Sequence, residues 1–402
     1  MGAALDLPVR AETLPAANGR LIGVLTLNAE KTLNALSLEM TDLLSAQLAA
    51  WAGDERVAMV LLQGAGEKAF CAGGDLQNLY RTMLEHRASA QRGDVLGNAY
   101  ANAFFEREYR LDYQIHTYPK PILCWGHGIV MGGGIGLMAG ASHRVATEKT
   151  RLAMPEIGIG LFPDVGGSWF LSRMPGKTGL FLALTGAAIN AADARYIGLA
   201  DRVLAHADKP QVIDTLLRQP WSDDRAANGA LLGAVLREAE HGTAQAAHAA
   251  DTPACAAPGP TAPAAQAAGP LRQHRDLIDD LCGRESLEAV LAAFAAVRTE
   301  DPWLQKALAA PARGSPGSLA LAWRLLERAP QLSLAEVFRM EYGVSLRCAA
   351  HGDFAEGIRA LLIDKDQRPD WQPAAGAAHF LDTPWPPRQH PLADLDKQTE
   401  KT

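Results

Sequence analysis

Cysteine is scarce and never paired in this chain. Its 402 residues hold five (Cys71, Cys124, Cys255, Cys282 and Cys348), odd in number, scattered and without a CxxC. That argues against a disulfide framework and a thiolate zinc site, and fits a reducing cytosol. Positive charge is also short. Against 45 Asp and Glu stand 38 Lys and Arg, a net charge of −7, with no basic stripe carrying interleaved aromatics. Nucleic acid is therefore not an expected partner. The eleven histidines form no HxxxH or HxH pair, so no metal is expected, and His127 in "GHG" reads as a packed side chain. No GxSxG or SxxK occurs, which leaves a serine hydrolase without a nucleophile. The N-terminus, "MGAALDLPVRAETLP", lacks a basic n-region and an apolar h-region. Secretion is not expected from it, and a cytoplasmic protein is.

Long apolar runs are nearly absent too. The one exception, Pro121 to Ala141, carries no formal charge and is long enough to span a bilayer. Seven of its residues are glycine, three of them consecutive. A buried strand, a tight turn and a buried helix account for it better than a membrane span does.

What remains is an ordinary globular composition, 48% hydrophobic and 21% charged, on a chain long enough for one large or two ordinary domains. The first two hundred residues alternate strand and helix patterns. "LIGVLTLN" (Leu21 to Asn28), "VAMVLLQG" (Val57 to Gly64), "PILCWG" and "HRVAT" (His143 to Thr147) read as strands. Helices are expected from Ser37, a Ser N-cap, to Asp54, from about Asp75 to Glu85, and from about Asn98 to His116. This alternation predicts an α/β fold. Residues 1–205 form its expected core, 206–375 a helical region and 376–402 a tail. Helices are expected at Ser286 to Val297, Ser318 to Ala329, Ser333 to about Ala350 and Phe354 to Ile363. Ser333 with Glu336, and Asp353 with Glu356, have capping-box spacing. Within the helical region His241 to Pro270 lacks Leu, Ile, Val and aromatics. It reads as a disordered insertion that cannot offset its ordering entropy.

Two motifs carry chemistry. In "AMPEIGIGLFPDVGG" (Ala153 to Gly167), Glu156 and Asp164 sit among apolar residues, with Pro155 and Pro163 fixing the chain before each. An acid so placed has a raised pKa suited to proton transfer; the plainer reading is a helix cap or a partner for Arg144 or Arg151. The second motif is a pair of glycine turns, "FCAGGD" (Phe70 to Asp75) and "MGGGIGL" (Met131 to Leu137). Facing each other, such turns could hold an oxyanion between two backbone N–H groups, although each alone could be a mere strand-to-helix turn. "GIGLMA" also matches a dinucleotide fingerprint, but the acid that motif needs about twenty residues on has no match: Glu148 comes too early and Glu156 lies past the next strand. Cys71, between Phe70 and Ala72, reads as a buried structural thiol.

Taken together, "KTLNALSLEM", "AFCAGGDL", the run from "PKPILCWGHGIVMGGG" to "GLFPDVGGSWFLSRMPG" and "LALTGAAINAADARYIGLADRVL" resemble the enoyl-CoA hydratase/isomerase (crotonase) superfamily. "VATEK", "MPE" before "GLFPDVGG", and the late "MEYGVSLRCAAHGDFAEGIRALLIDKDQRPDW" are most similar to its 3-hydroxyisobutyryl-CoA hydrolase branch. The resemblance implies a crotonase-like spiral of ββα units with a helical C-terminal region. It also implies a coenzyme A thioester substrate and no cofactor beyond that substrate. By the same resemblance Ala72 and Gly133 supply the oxyanion amides, Glu156 and Asp164 react, and Glu108 joins the substrate cluster. Ala35, Gly73, Gly74 and Asp75 would line the coenzyme A channel.

The hydratases of the superfamily use a second glutamate whose place here is Gly136, so the resemblance implies hydrolysis of a short 3-hydroxyacyl-CoA thioester in valine degradation. An enoyl-CoA lyase or isomerase, and a non-catalytic acyl-CoA binder, are the alternatives. No membrane partner is expected, and the oligomeric state is open, a homo-oligomer included.

Overall fold

A computed structural model describes residues 7–250, 268–373, 378–382 and 384–396. After an opening hairpin its strands come mostly in pairs that divide between two sheets. In chain order they are β1 (Val9–Pro15), β2 (Leu21–Leu27), β3 (Val57–Gly64), β4 (Ala69–Cys71), β5 (Ile122–Gly126), β6 (Ile129–Met131), β7 (His143–Thr147), β8 (Arg151–Ala153) and β9 (Arg202–Leu204). The larger sheet runs β1-β2-β3-β5-β7-β9 and the smaller β4-β6-β8, so each of the pairs β3/β4, β5/β6 and β7/β8 divides between the two. Among the strand pairs of the described residues, β1–β2 alone is antiparallel. Three of the intervening helices, α1 (Leu38–Gly53), α2 (Leu76–Ala88) and α3 (Ala99–His116), and the short α4 (Gly133–Ala139) complete the expected ββα succession. The apolar run at 121–141 is thus β5, β6 and α4, and among the described residues no helix is long and apolar enough to cross a membrane.

The continuous apolar character of β3 follows from burial on both faces. Val60 and Leu62 join the core shared with β2 and the helices, whereas Met59 and Leu61 face a second core with Trp125, Leu216 and Leu232. Capping chemistry sets the helix starts. Ser37 accepts the Met40 N–H, Asn98 the Ala101 N–H, and Ser333 with Glu336 makes the reciprocal capping box that opens the Leu334–His351 helix.

After β9 all regular structure among the described residues is helical. Three expectations change there. Residues 241–250 continue the Arg225–Ala250 helix instead of looping out, consistent with the helix propensity of their alanines; 251–267 lie outside the described residues. Asp353 makes no capping box, because its carboxylate accepts the Ser315 hydroxyl and the Gln372 N–H. The stretch set apart as a tail packs on the body: Leu392 and Leu395 are fully buried, and the Arg110 and Arg339 side chains donate to carbonyls there.

Candidate active site

The smaller sheet gathers the candidate residues because its strands are parallel and end together. Cys71 pairs with Val130, and Met131 with Ala153. The turns leaving β4, β6 and β8 therefore emerge at one carboxyl edge, where open parallel sheets bind ligands. β4 delivers Ala72, Gly73 and Gly74, β6 delivers Gly132 and Gly133, and β8 leads to Pro155 and Glu156. These turns, with Glu108 and Phe104 from α3, Asp164, and Phe354 from the C-terminal region, line a cavity of about 80 Å³. Its remaining walls include Leu76, Leu79, Ile159 and Leu161, which suit a short apolar group, and among the described residues no Lys, Arg or His lines it.

The two glycine turns do face each other. Gly73 (φ 112°) and Gly132 (φ 48°) adopt backbone conformations that L side chains rarely reach, and a Cβ on Gly132 would lie 3.7 Å from Gly73 Cα. The expectation for Ala72 is corrected here. Its N–H already donates to the Leu33 carbonyl at 3.1 Å, whereas the Gly74 N–H has no acceptor among the described residues. Gly74 N also lies 3.7 Å from where a Cβ on Gly133 would stand. Gly133 opens α4, so its own N–H is one of those a helix leaves unpaired. The amide pair the geometry offers is Gly74 and Gly133.

Three carboxyl groups share the cavity, with no cationic side chain among the described residues that line it. Glu108, Glu156 and Asp164 are 2%, 4% and 5% exposed. Glu156 begins the short 3-10 turn Glu156–Ile159; its Oε1 faces Gly132, and its buried Oε2 has no hydrogen-bond partner among the described residues. Glu108 Oε1 lies where a Cβ on Gly133 would collide with it, which accounts for glycine there. Asp164 Oδ2 accepts the Tyr109 hydroxyl at 2.7 Å. Burial, then repulsion from Asp164, pushes Glu156 and Glu108 well above the usual carboxylate range. Burial pushes Asp164 up to about 6, the Tyr109 bond acting against it. Groups that repel one another across one cavity titrate as a cluster, and a carboxyl raised to about 6, as at Asp164, is suited to acid–base work near neutral pH.

Ala35 and Asp75 stand apart from this cavity. Ala35 precedes Leu36, which bridges to Gly74, and the Asp75 carboxylate caps α2 through the Asn78 N–H. Cys71 is fully buried beneath the turn, its thiol pushed up to about 12 by desolvation. Four buried polar residues around the site escaped the sequence reading: Tyr109, Asp112, Glu341 and Ser345. Glu108, Tyr109 and Asp112 share α3, where acids at i and i+4 on an otherwise apolar face were the available signal. At Gly136 a Cβ would meet Val165 Cβ at 2.7 Å and Asp112 Oδ2 at 2.9 Å, so a glutamate does not fit there without displacing both.

Comparison with known proteins identifies the family and the fold. The family described as enoyl-CoA hydratase/isomerase matches residues 22–379. The chain is 40% identical over 365 residues to the mitochondrial 3-hydroxyisobutyryl-CoA hydrolase of Danio rerio, covering 88% of this chain and 83% of that one. It is 35% identical over 352 residues to the enzyme of the same name from Homo sapiens, covering 88% and 82%. Among solved structures, an enoyl-CoA hydratase from Rhodobacter sphaeroides superposes with a TM-score of 0.71 at 33% identity, covering 96% of each chain. A carnitinyl-CoA dehydratase from Mycobacterium thermoresistibile gives 0.74 at 33% identity, covering 94% and 97%. The mitochondrial naming of the hydrolases overturns the expectation of a cytoplasmic protein. Unpaired cysteines report reducing conditions, not which reducing compartment supplies them. With a matched region this long and relatives this similar, the chain belongs to the enoyl-CoA hydratase/isomerase family.

Proposed function

We propose that the protein hydrolyses a short 3-hydroxyacyl-CoA thioester, 3-hydroxyisobutyryl-CoA being the substrate its named relatives point to. The observation that carries the reading is the convergence of Glu156 and Asp164 on one small cavity while the Gly136 position is filled by Val165 and Asp112. The thioester carbonyl oxygen sits between the Gly74 and Gly133 amides. As a tetrahedral centre forms, those donors stabilise the oxyanion by about 3 kcal/mol each. Two routes are open to Glu156. Its carboxylate attacks the carbonyl carbon, giving a mixed anhydride that water then cleaves, or it takes a proton from water as water attacks. In both, the carbon–sulfur bond breaks and coenzyme A leaves as thiolate, to be protonated. Asp164 accepts a hydrogen bond from the substrate 3-hydroxyl, held in place by Tyr109, and Glu108 beside Gly133 supports the acyl end.

The names of the solved structures favour a second reading, a lyase acting on an enoyl-CoA. One assay separates the two. Thiol release from 3-hydroxyisobutyryl-CoA supports hydrolysis. Loss of enoyl absorbance from a short enoyl-CoA without thiol release contradicts it, and binding with neither signal points to a non-catalytic binder.

A further inference from the structure

The turn that carries Asp164 is strained. Val165 (φ 53°) and Gly166 (φ 81°) are consecutive left-handed residues, and the first is β-branched. A left-handed conformation at a β-branched residue is unfavourable and persists only where its surroundings fix it. Much of the fixing comes from one face of the Leu334–His351 helix, far along the chain. Glu341, fully buried, accepts the Gly166 N–H at 2.7 Å through Oε2 and the Ser168 N–H at 2.9 Å through Oε1. Phe338, three residues earlier, lies beneath Gly166, where a Cβ would come within 3.2 Å of its ring. Ser345, four residues later, sits 2.7 Å from the Tyr109 hydroxyl, which itself donates to Asp164 at 2.7 Å. Spacings of three and four put all three side chains on one helix face.

A carboxylate at position 341 is costly. Burial raises its pKa to about 8, and the carboxylate of Asp164 adds to the rise. Its two backbone donors are the compensation visible in the structure. They belong to the residues that set the direction of the chain leaving Asp164, so the same two bonds that satisfy Glu341 fix the turn.

We infer that Glu341 is a positioning residue for the hydrolytic reaction: it splints the strained turn after Asp164, while Ser345 orients the Tyr109 hydroxyl that holds the Asp164 carboxyl. The inference rests on the hydrolase reading. It predicts a larger effect on turnover than on binding, since the amides and most of the apolar walls, Val165 apart, come from other segments.

The test uses the full chain with Glu341→Gln and, separately, Ser345→Ala, each shown folded by circular dichroism. The wild type and both variants are assayed for thiol release from 3-hydroxyisobutyryl-CoA. Glutamine keeps the length of the side chain but offers one acceptor oxygen for two donors, so kcat should fall roughly 10–100-fold with KM within about threefold. Ser345→Ala should lower kcat about 3–10-fold with KM again unchanged. A crystal structure of the Glu341→Gln protein should show Asp164 withdrawn from Tyr109. If Glu341→Gln does not fold, Ser345→Ala decides by the same split. Wild-type kcat in the folded variants would overturn this inference alone. No thiol release from the wild type would overturn the hydrolase reading, and this inference with it.

Discussion

Tyr109→Phe removes one oxygen and leaves Asp164 buried without the hydroxyl that donates to it at 2.7 Å. Burial already pushes the Asp164 carboxyl up to about 6, and the Tyr109 bond is the main influence holding it down. A hydrogen bond to a charged group contributes about 1.5–3 kcal/mol. At about 1.4 kcal/mol per pH unit, its loss moves the Asp164 pKa up by roughly one to two units. If Asp164 acts as the anion that accepts the substrate hydroxyl, activity rises with pH as it ionises. The acidic limb of the kcat–pH profile should then move from near pH 6 to about pH 7–8. At pH 6.5 the variant should turn over roughly tenfold more slowly, and by pH 9 it should recover to near the wild-type rate. The limb reports the coupled cluster, so Asp164→Asn serves as its control. An unmoved limb, or one displaced to lower pH, would refute the reasoning.

Two further outcomes follow from the buried groups. Asp164 binds its proton more tightly folded (about 6) than unfolded (3.8), so the stability it contributes is complete below about pH 4 and is lost as pH rises through 6, at a cost of about 3 kcal/mol. Asp164→Asn should therefore melt a few degrees above the wild type at pH 8, with the gap closing near pH 4; calorimetry showing equal melting at pH 8 would contradict this. Cys71→Ser should keep most of the thiol-releasing activity, because Cys71 is absent from the cavity wall. A folded but inactive Cys71→Ser protein would put a thiol nucleophile in place of the oxyanion scheme.

The fold was legible wherever a segment carries its own pattern. The apolar run of β3 and the Ser333–Glu336 box are local signals, and both appear as read. β4, β6 and β8 are three residues each and gain their strand character only from one another, so a window of sequence cannot find them. Over His241 to Ala250 the lack of large apolar side chains points to a loop, whereas the helix propensity of alanine favours the helix that forms. Within the site, Glu156, Asp164 and Gly133 were legible from motif context and do line one cavity. The choice between Ala72 and Gly74 was not, because it turns on a hydrogen bond from Ala72 to Leu33, a residue on another segment. Glu341 was hidden for the same reason: its partners lie 173 and 175 residues away, and nothing near it in sequence records them.

Glu156→Gln removes the carboxylate that performs the chemistry. Glutamine keeps the size of the side chain but cannot act as carboxylate nucleophile or effective base. Steady-state thiol release from 3-hydroxyisobutyryl-CoA should fall by at least about a thousandfold, while the folded variant still binds the thioester with near wild-type affinity. Turnover at the wild-type rate in that variant would place the reacting group elsewhere and contradict the account.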